Sequence, residues 1–209
     1  MPTLTNWMPR AAMAAFATLI AVSTVSAQQQ PSMVRIRGTI ESVDGNTLGI
    51  KTREGTDVKV NMTDNVAVFA VVKTQLSEIK EGSYIGVTAM PEPDGTQKAI
   101  AVHIFPENQR GAAEGFRPWD ARANSTMTNA TVAQTVKGTD GQNITVKYKD
   151  GEKKVVVPPE TPIVTFVASD KSEIKPGAKL IIFGAAKKDD GTLEANRVNV
   201  GRDGITPPM

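Results

Sequence analysis

The chain has no cysteine and a single histidine, His103, among its 209 residues. These absences exclude a thiolate zinc site, a histidine-rich metal cage and any triad that needs two imidazoles, because such sites require several donors converging on one point. Aromatic side chains are scarce too, at 5%. Proteins that hold single-stranded nucleic acid stack bases on aromatic platforms in a basic groove, so the scarcity argues against that partner. Neither sign of charge prevails: 24 basic against 22 acidic side chains leave a formal charge of +2. That is too little for an electrostatic footprint on nucleic acid or a membrane surface. The chain also lacks a Gly-x-Ser-x-Gly elbow, a glycine-rich phosphate loop and a His-Glu-x-x-His run. No catalytic residue, cofactor or metal ligand is therefore expected.

What is present begins with an address. Arg10 precedes an uncharged stretch from Ala11 to Val25, which ends in the small residues Val25-Ser26-Ala27. This is the grammar of a signal peptide over residues 1–27, with cleavage expected after Ala27. The alternative is an uncleaved anchor, but the apolar run falls short of the ~20 residues that span a bilayer as a helix. No later stretch is long and apolar enough to do so, and the mature protein is expected to be periplasmic or secreted.

The rest of the chain repeats itself. At a shift of 96, Asp44 to Gly55 falls on Asp140 to Gly151 with four identities and five conservative pairs in twelve positions. Ser77 to Gly82 (SEIKEG) falls on Ser172 to Gly177 (SEIKPG), and Asp94-Gly95-Thr96 falls on Asp190-Gly191-Thr192. Three matching blocks in the same order indicate an internal duplication. The period is far longer than a solenoid repeat, so each copy is expected to carry its own core.

Within each copy the apolar residues alternate, as on half-buried strands. Val34, Ile36 and Ile40 are expected inside in the first copy, with Val132 and Val136 in the second, while Arg35, Arg37 and Glu41 take the opposite face. Leu48 and Ile50 pair with Ile144 and Val146 after an Asp-Gly turn. Short strands with frequent turns indicate an all-β fold of two homologous five- or six-stranded barrels, since closure removes sheet edges that so small a domain could not protect. The first barrel is expected over 34–105, an irregular connector over 106–128, the second barrel over 129–201 and a tail over 202–209. In the Ser-Glu-Ile-Lys loops, Ile79 and Ile174 are expected to plug barrel ends behind a serine-capped turn.

This succession of strand, Asp-Gly turn, strand, polar-Gly turn, strand, Ser-Glu-Ile-Lys-x-Gly and alternating strand resembles the small OB-like β-barrel domains of unknown function found in exported bacterial proteins. The resemblance covers roughly residues 34 to 105 and 129 to 201 and implies no active-site residues. Sequences of this look are sometimes catalogued with metal transport permeases, but the lack of a spanning helix contradicts a permease.

His103 lies between Val102 and Ile104 on a strand whose apolar set is the even positions, so it is expected to point outward into solvent; its counterpart in the second copy is Asn199. Met33, Met62, Met90, Met127 and Met209 share no repeat position, which speaks against a thioether copper site. The connector is the unusual segment. Phe116 and Trp119 have little use in a flexible linker. Either they dock the connector onto the barrels, or a cleft lined by Arg110, Phe116, Arg117, Trp119 and Arg122 binds a ligand or partner.

The combined reading is an exported, non-enzymatic tandem β-barrel protein acting as a binding or scaffold module in the bacterial envelope, with an envelope protein or a small ligand as partner. Two rivals stay open. A soluble periplasmic accessory of metal transport would need more ligands than the sequence supplies. A carbohydrate-acting hydrolase would need two inward acids in one cleft.

Overall fold

The computed structural model describes residues 32–138 and 141–209. The expected signal peptide and Asp140 lie outside the described residues. Twelve strands follow in order: β1 (Met33–Asp44), β2 (Thr47–Thr52), β3 (Asp57–Lys73), β4 (Tyr84–Pro91), β5 (Gln97–Ile104), β6 (Gly115–Pro118), β7 (Thr126–Gly138), β8 (Gly141–Tyr148), β9 (Gly151–Val157), β10 (Ile163–Ser169), β11 (Lys179–Lys187) and β12 (Leu193–Gly201). Short 3-10 turns at Leu76–Glu78, Glu107–Gln109, Lys171–Glu173 and Arg202–Gly204 are the only helical elements among the described residues. The fold is all-β. No described helix is long and apolar enough to cross a membrane.

Alternation and turn chemistry account for the local structure. In β2 Leu48 and Ile50 are fully buried between half-exposed neighbours. The two Asp-Gly-Thr turns have matching geometry: Thr96 donates its backbone N–H (2.9 Å) and hydroxyl (2.7 Å) to Asp94, and Thr192 does the same to Asp190 at the same distances. Gly95 and Gly191 between them both have φ near 84°, a left-handed conformation that glycine adopts without steric cost.

Strands β1, β2, β3, β12 and β11 close a five-stranded barrel. A second five-strand ring runs β4, β5, β9, β8, β7 and back to β4, its β5–β9 junction a short parallel ladder at Gln97↔Val155 and Lys98↔Val156. Each ring therefore combines three strands of one sequence repeat with two of the other. Residues 34–105 do not close on themselves, contrary to the expectation that each copy holds its own core.

The cause is the length of β3. It pairs with β2 and then with β12 in the barrel as far as Val71, and its end also pairs antiparallel with β10 outside the barrel, from Val68↔Ser169 to Lys73↔Val164. The chain then enters the other ring. In the second repeat the same path is split into β9 and β10 by Pro158, Pro159 and Pro162, which lack the N–H that a continuous ladder requires.

The two Ser-Glu-Ile-Lys loops confirm the exchange. Gly82 and Val132 form a backbone hydrogen bond (2.8 Å), while Gly177 and Ile40 form the equivalent one (2.7 Å), so each loop binds the first strand of the opposite repeat. Ile174 is buried in the barrel core with Ile40, Leu180 and Ile182, and Ile79 in the other core with Ile85, Val132 and Ile144. Each fully buried isoleucine contributes about 1.5–3 kcal/mol. The serine cap is absent: in the second loop Asp170 accepts from the Ser172 N–H, and the first loop has no side-chain cap. Val136 is half exposed rather than inside. The β7–β8 hairpin extends to Gly138↔Gly141, which makes Val132 the structural counterpart of Ile40, and a bulge between Val132 and Gln134 turns the remaining residues over.

A third apolar cluster lies between the rings. It joins Val71, Met127, Val164, Phe166, Ile181 and Met209, with Phe69, Trp119 and Phe183 packed on them.

Candidate functional site

The site forms where the outer faces of the rings meet. Val102 on β5 faces the ring interior, so His103 faces out, but it is only 3% exposed. The expected solvation fails because period-two alternation gives the side of a strand and not what covers it. The cover here includes Phe105 and Phe166, whose ring centroids lie 4.3 Å and 5.5 Å from the imidazole, both near edge-on. Gly86 on the adjacent strand leaves the room: a Cβ there would overlap the imidazole. Burial, reinforced by the charges of Arg197 and Arg117, pushes the His103 pKa down to about 3.

Its counterpart Asn199 is also buried, donating to the Ile181 carbonyl (3.0 Å) and accepting from Arg197 Nε (3.1 Å). Arg197 lies over Phe69, its guanidinium carbon 4.0 Å from the ring centroid, and reaches Gln109 at 3.3 Å. Burial lowers the pKa of both Arg197 and Arg117 from the usual guanidinium value.

The connector is docked. Trp119 donates its backbone N–H to the Ser125 carbonyl (2.7 Å), and the Ala112 carbonyl accepts from both the Tyr84 hydroxyl and Asn129 Nδ2 (3.1 Å each). Arg35 stacks on the indole, and Asp120 pairs with Arg35 (2.9 Å) and Arg37 (2.8 Å). Their hydrogen bonds, Arg37's foremost, hold the Asp120 carboxyl well below the ordinary carboxylate range. Arg37 also donates to the Met209 carbonyl (2.5 Å), and Arg117 to that of Ala113 (2.8 Å).

These groups surround a cavity of about 350 Å³ between the rings. Of the five connector residues expected to form a site, Arg117 and Trp119 line it. Phe116 points to the other side of β6, under Lys153 Nζ at 4.3 Å. Arg110 is exposed and paired with Glu107 (2.6 Å), and Arg122 borders a separate open groove of about 470 Å³ beside Arg53 and Lys179. Nothing in the residue pattern marks Arg35, His103, Phe105, Asn129, Phe166, Phe183 or Arg197 as lining residues. They come from six different strands, β1, β5, β7, β10, β11 and β12, with Phe105 just past the end of β5, and only the strand exchange brings them together.

Seven buried side-chain polar atoms have no hydrogen-bond partner among the described residues, and four of them, Arg35 Nε, His103 Nδ1, Trp119 Nε1 and Asn129 Oδ1, belong to this lining. Among the described residues no group of three or more His, Asp or Glu is placed to hold a metal ion. No protein-family model, curated protein or solved structure matches the chain.

Proposed function

We propose that the chain is an exported, non-enzymatic binding module of the bacterial envelope, and that its ligand seat is the cavity between the rings. The signal-peptide grammar and the resemblance to exported OB-like barrels support the envelope half of this reading. The binding half rests on the four unpartnered polar atoms that share one cavity. Each buried polar group left unpaired costs about 1–3 kcal/mol, so such a cluster is expected where a ligand completes the bonds. The lining contains no hydroxyl side chain and no carboxylate, and its one imidazole is held neutral, which favours holding a ligand over transforming it.

The test is fluorescence. In a Trp7→Phe background Trp119 is the only indole. Titration with the dye 8-anilinonaphthalene-1-sulfonate is expected to quench its emission saturably at one dye per chain, and Ala112→Phe, placed in the cavity lining, to abolish the effect. Quenching that does not saturate, or that survives the filled cavity, removes the proposal.

A further inference from the structure

We infer that the ligand of this cavity is an amphipathic organic anion, with one carboxylate held by the arginines and an apolar ring body seated on the aromatic wall. The inference rests on the binding reading above and names the ligand class.

Charge is the first argument. The lining carries Arg35, Arg117 and Arg197 and no acid. Asp120, which pairs with Arg35, is shared with Arg37 and is not part of the cavity lining. Guanidinium groups are among the costliest side chains to take from water without a counter-charge, and Arg117 and Arg197 are partly buried here without an acidic partner among the described residues. A ligand carboxylate supplies that counter-charge.

Donor and acceptor count is the second. Arg35 Nε and Trp119 Nε1 are both N–H donors, both buried and both without an acceptor. Arg117 engages a backbone carbonyl through one terminal nitrogen, which leaves the rest of its planar fork for a two-oxygen acceptor. A carboxylate presents two acceptor oxygens in the geometry that an arginine fork matches.

The walls supply the third. Phe105, Phe166, Phe183 and Trp119 offer ring faces and edges, and Met127 a polarizable surface. A volume of about 350 Å³ exceeds what an inorganic anion fills and falls at the small end of pockets for compact organic ligands.

Titration calorimetry on the full chain compares sodium 2-naphthoate with neutral 2-naphthalenemethanol and with inorganic phosphate. The naphthoate is expected to bind one to one, about tenfold or more tighter than the alcohol, and to weaken with added salt while the alcohol does not. Arg117→Gln is expected to cost the naphthoate about fivefold or more and leave the alcohol unchanged. Should that variant fail to fold, the salt dependence on the unaltered chain decides the same point. Equal affinity for acid and alcohol overturns the anion inference and leaves the binding reading standing. Phosphate displacing naphthoate at matched concentration overturns the organic half, making this a bare anion site. If none of the three binds, and the dye also fails to quench Trp119, the binding reading itself falls.

Discussion

The guanidinium of Arg35 lies over the indole of Trp119, its carbon 3.7 Å from the ring centroid, while the same side chain pairs with Asp120 next in sequence. One arginine of β1 thus grips two consecutive residues of the connector. A cation on an indole face contributes about 0.5–2 kcal/mol, depending on how far water is excluded. A double-mutant cycle of Arg35→Met and Trp119→Leu in urea unfolding is expected to return a coupling energy within that range. A coupling of zero would show that the stacking does not hold the connector.

Gly86 and His103 make a complementary pair. Gly86→Ala places a methyl group on the imidazole, and overpacking of this kind costs about 1–3 kcal/mol. Adding His103→Ala is expected to restore most of the loss in urea midpoint. If Gly86→Ala alone leaves stability unchanged, the imidazole does not occupy the position assigned to it.

Acid should destabilise the protein in a window set by His103. Its folded pKa is depressed to about 3 from 6.5, so on lowering the pH the unfolded chain takes up the proton first. Stability is therefore complete above about pH 6.5 and declines by up to about 1.4 kcal/mol per pH unit toward pH 3. His103→Leu is expected to flatten this limb between about pH 7 and about pH 4.5, leaving the loss at lower pH that comes from protonating Asp120. Equal slopes for both proteins would refute a buried neutral imidazole.

The strand exchange makes a prediction about fragments. Residues 28–105 and 106–209 expressed separately are each expected to be unfolded by circular dichroism, because each lacks strands that close both rings. Mixed, they are expected to assemble one to one with native-like spectra. Two fragments that fold alone would mean that the rings close within the repeats.

Export is expected to leave Gln28 as the first residue, recovered in the envelope fraction. Amino-terminal sequencing that returns Met1 would overturn the signal-peptide reading.

Much of the local structure was legible in the residues. The duplication appeared as three aligned blocks, the strand faces as alternation at Leu48 and Ile50, and the plugs as isoleucines between a polar turn and a glycine. The partner choice of the strands was not legible. Ile85 and Val87 have the same apolar alternation whether β4 lies beside strands of its own repeat or beside β7, and backbone hydrogen bonds carry no label for their partner. The site was hidden for the same reason. Arg35 and His103 both read correctly as lying on the outer face of their strands, but that face becomes interior once the other ring is set against it. Trp119 was visible because an indole in a glycine-rich connector has no other use, and Arg117 because it is nearby in sequence.

The exchange also sets the order in which the molecule can be made. A chain emerging amino end first delivers β1, β2 and β3 long before β11 and β12, the strands that complete their barrel. Until then the apolar faces of Ile36, Ile40 and Leu48 are open on a three-stranded sheet with free edges, a state that invites pairing with other chains. Closing over so long a loop is slow, since the entropy of bringing distant segments together must be met before their contacts form. Such a chain has reason to be kept unfolded until all of it has arrived. On the proposed export route the chain would cross as an extended thread, which defers assembly to the far side, where the same amino-first order of strands would apply.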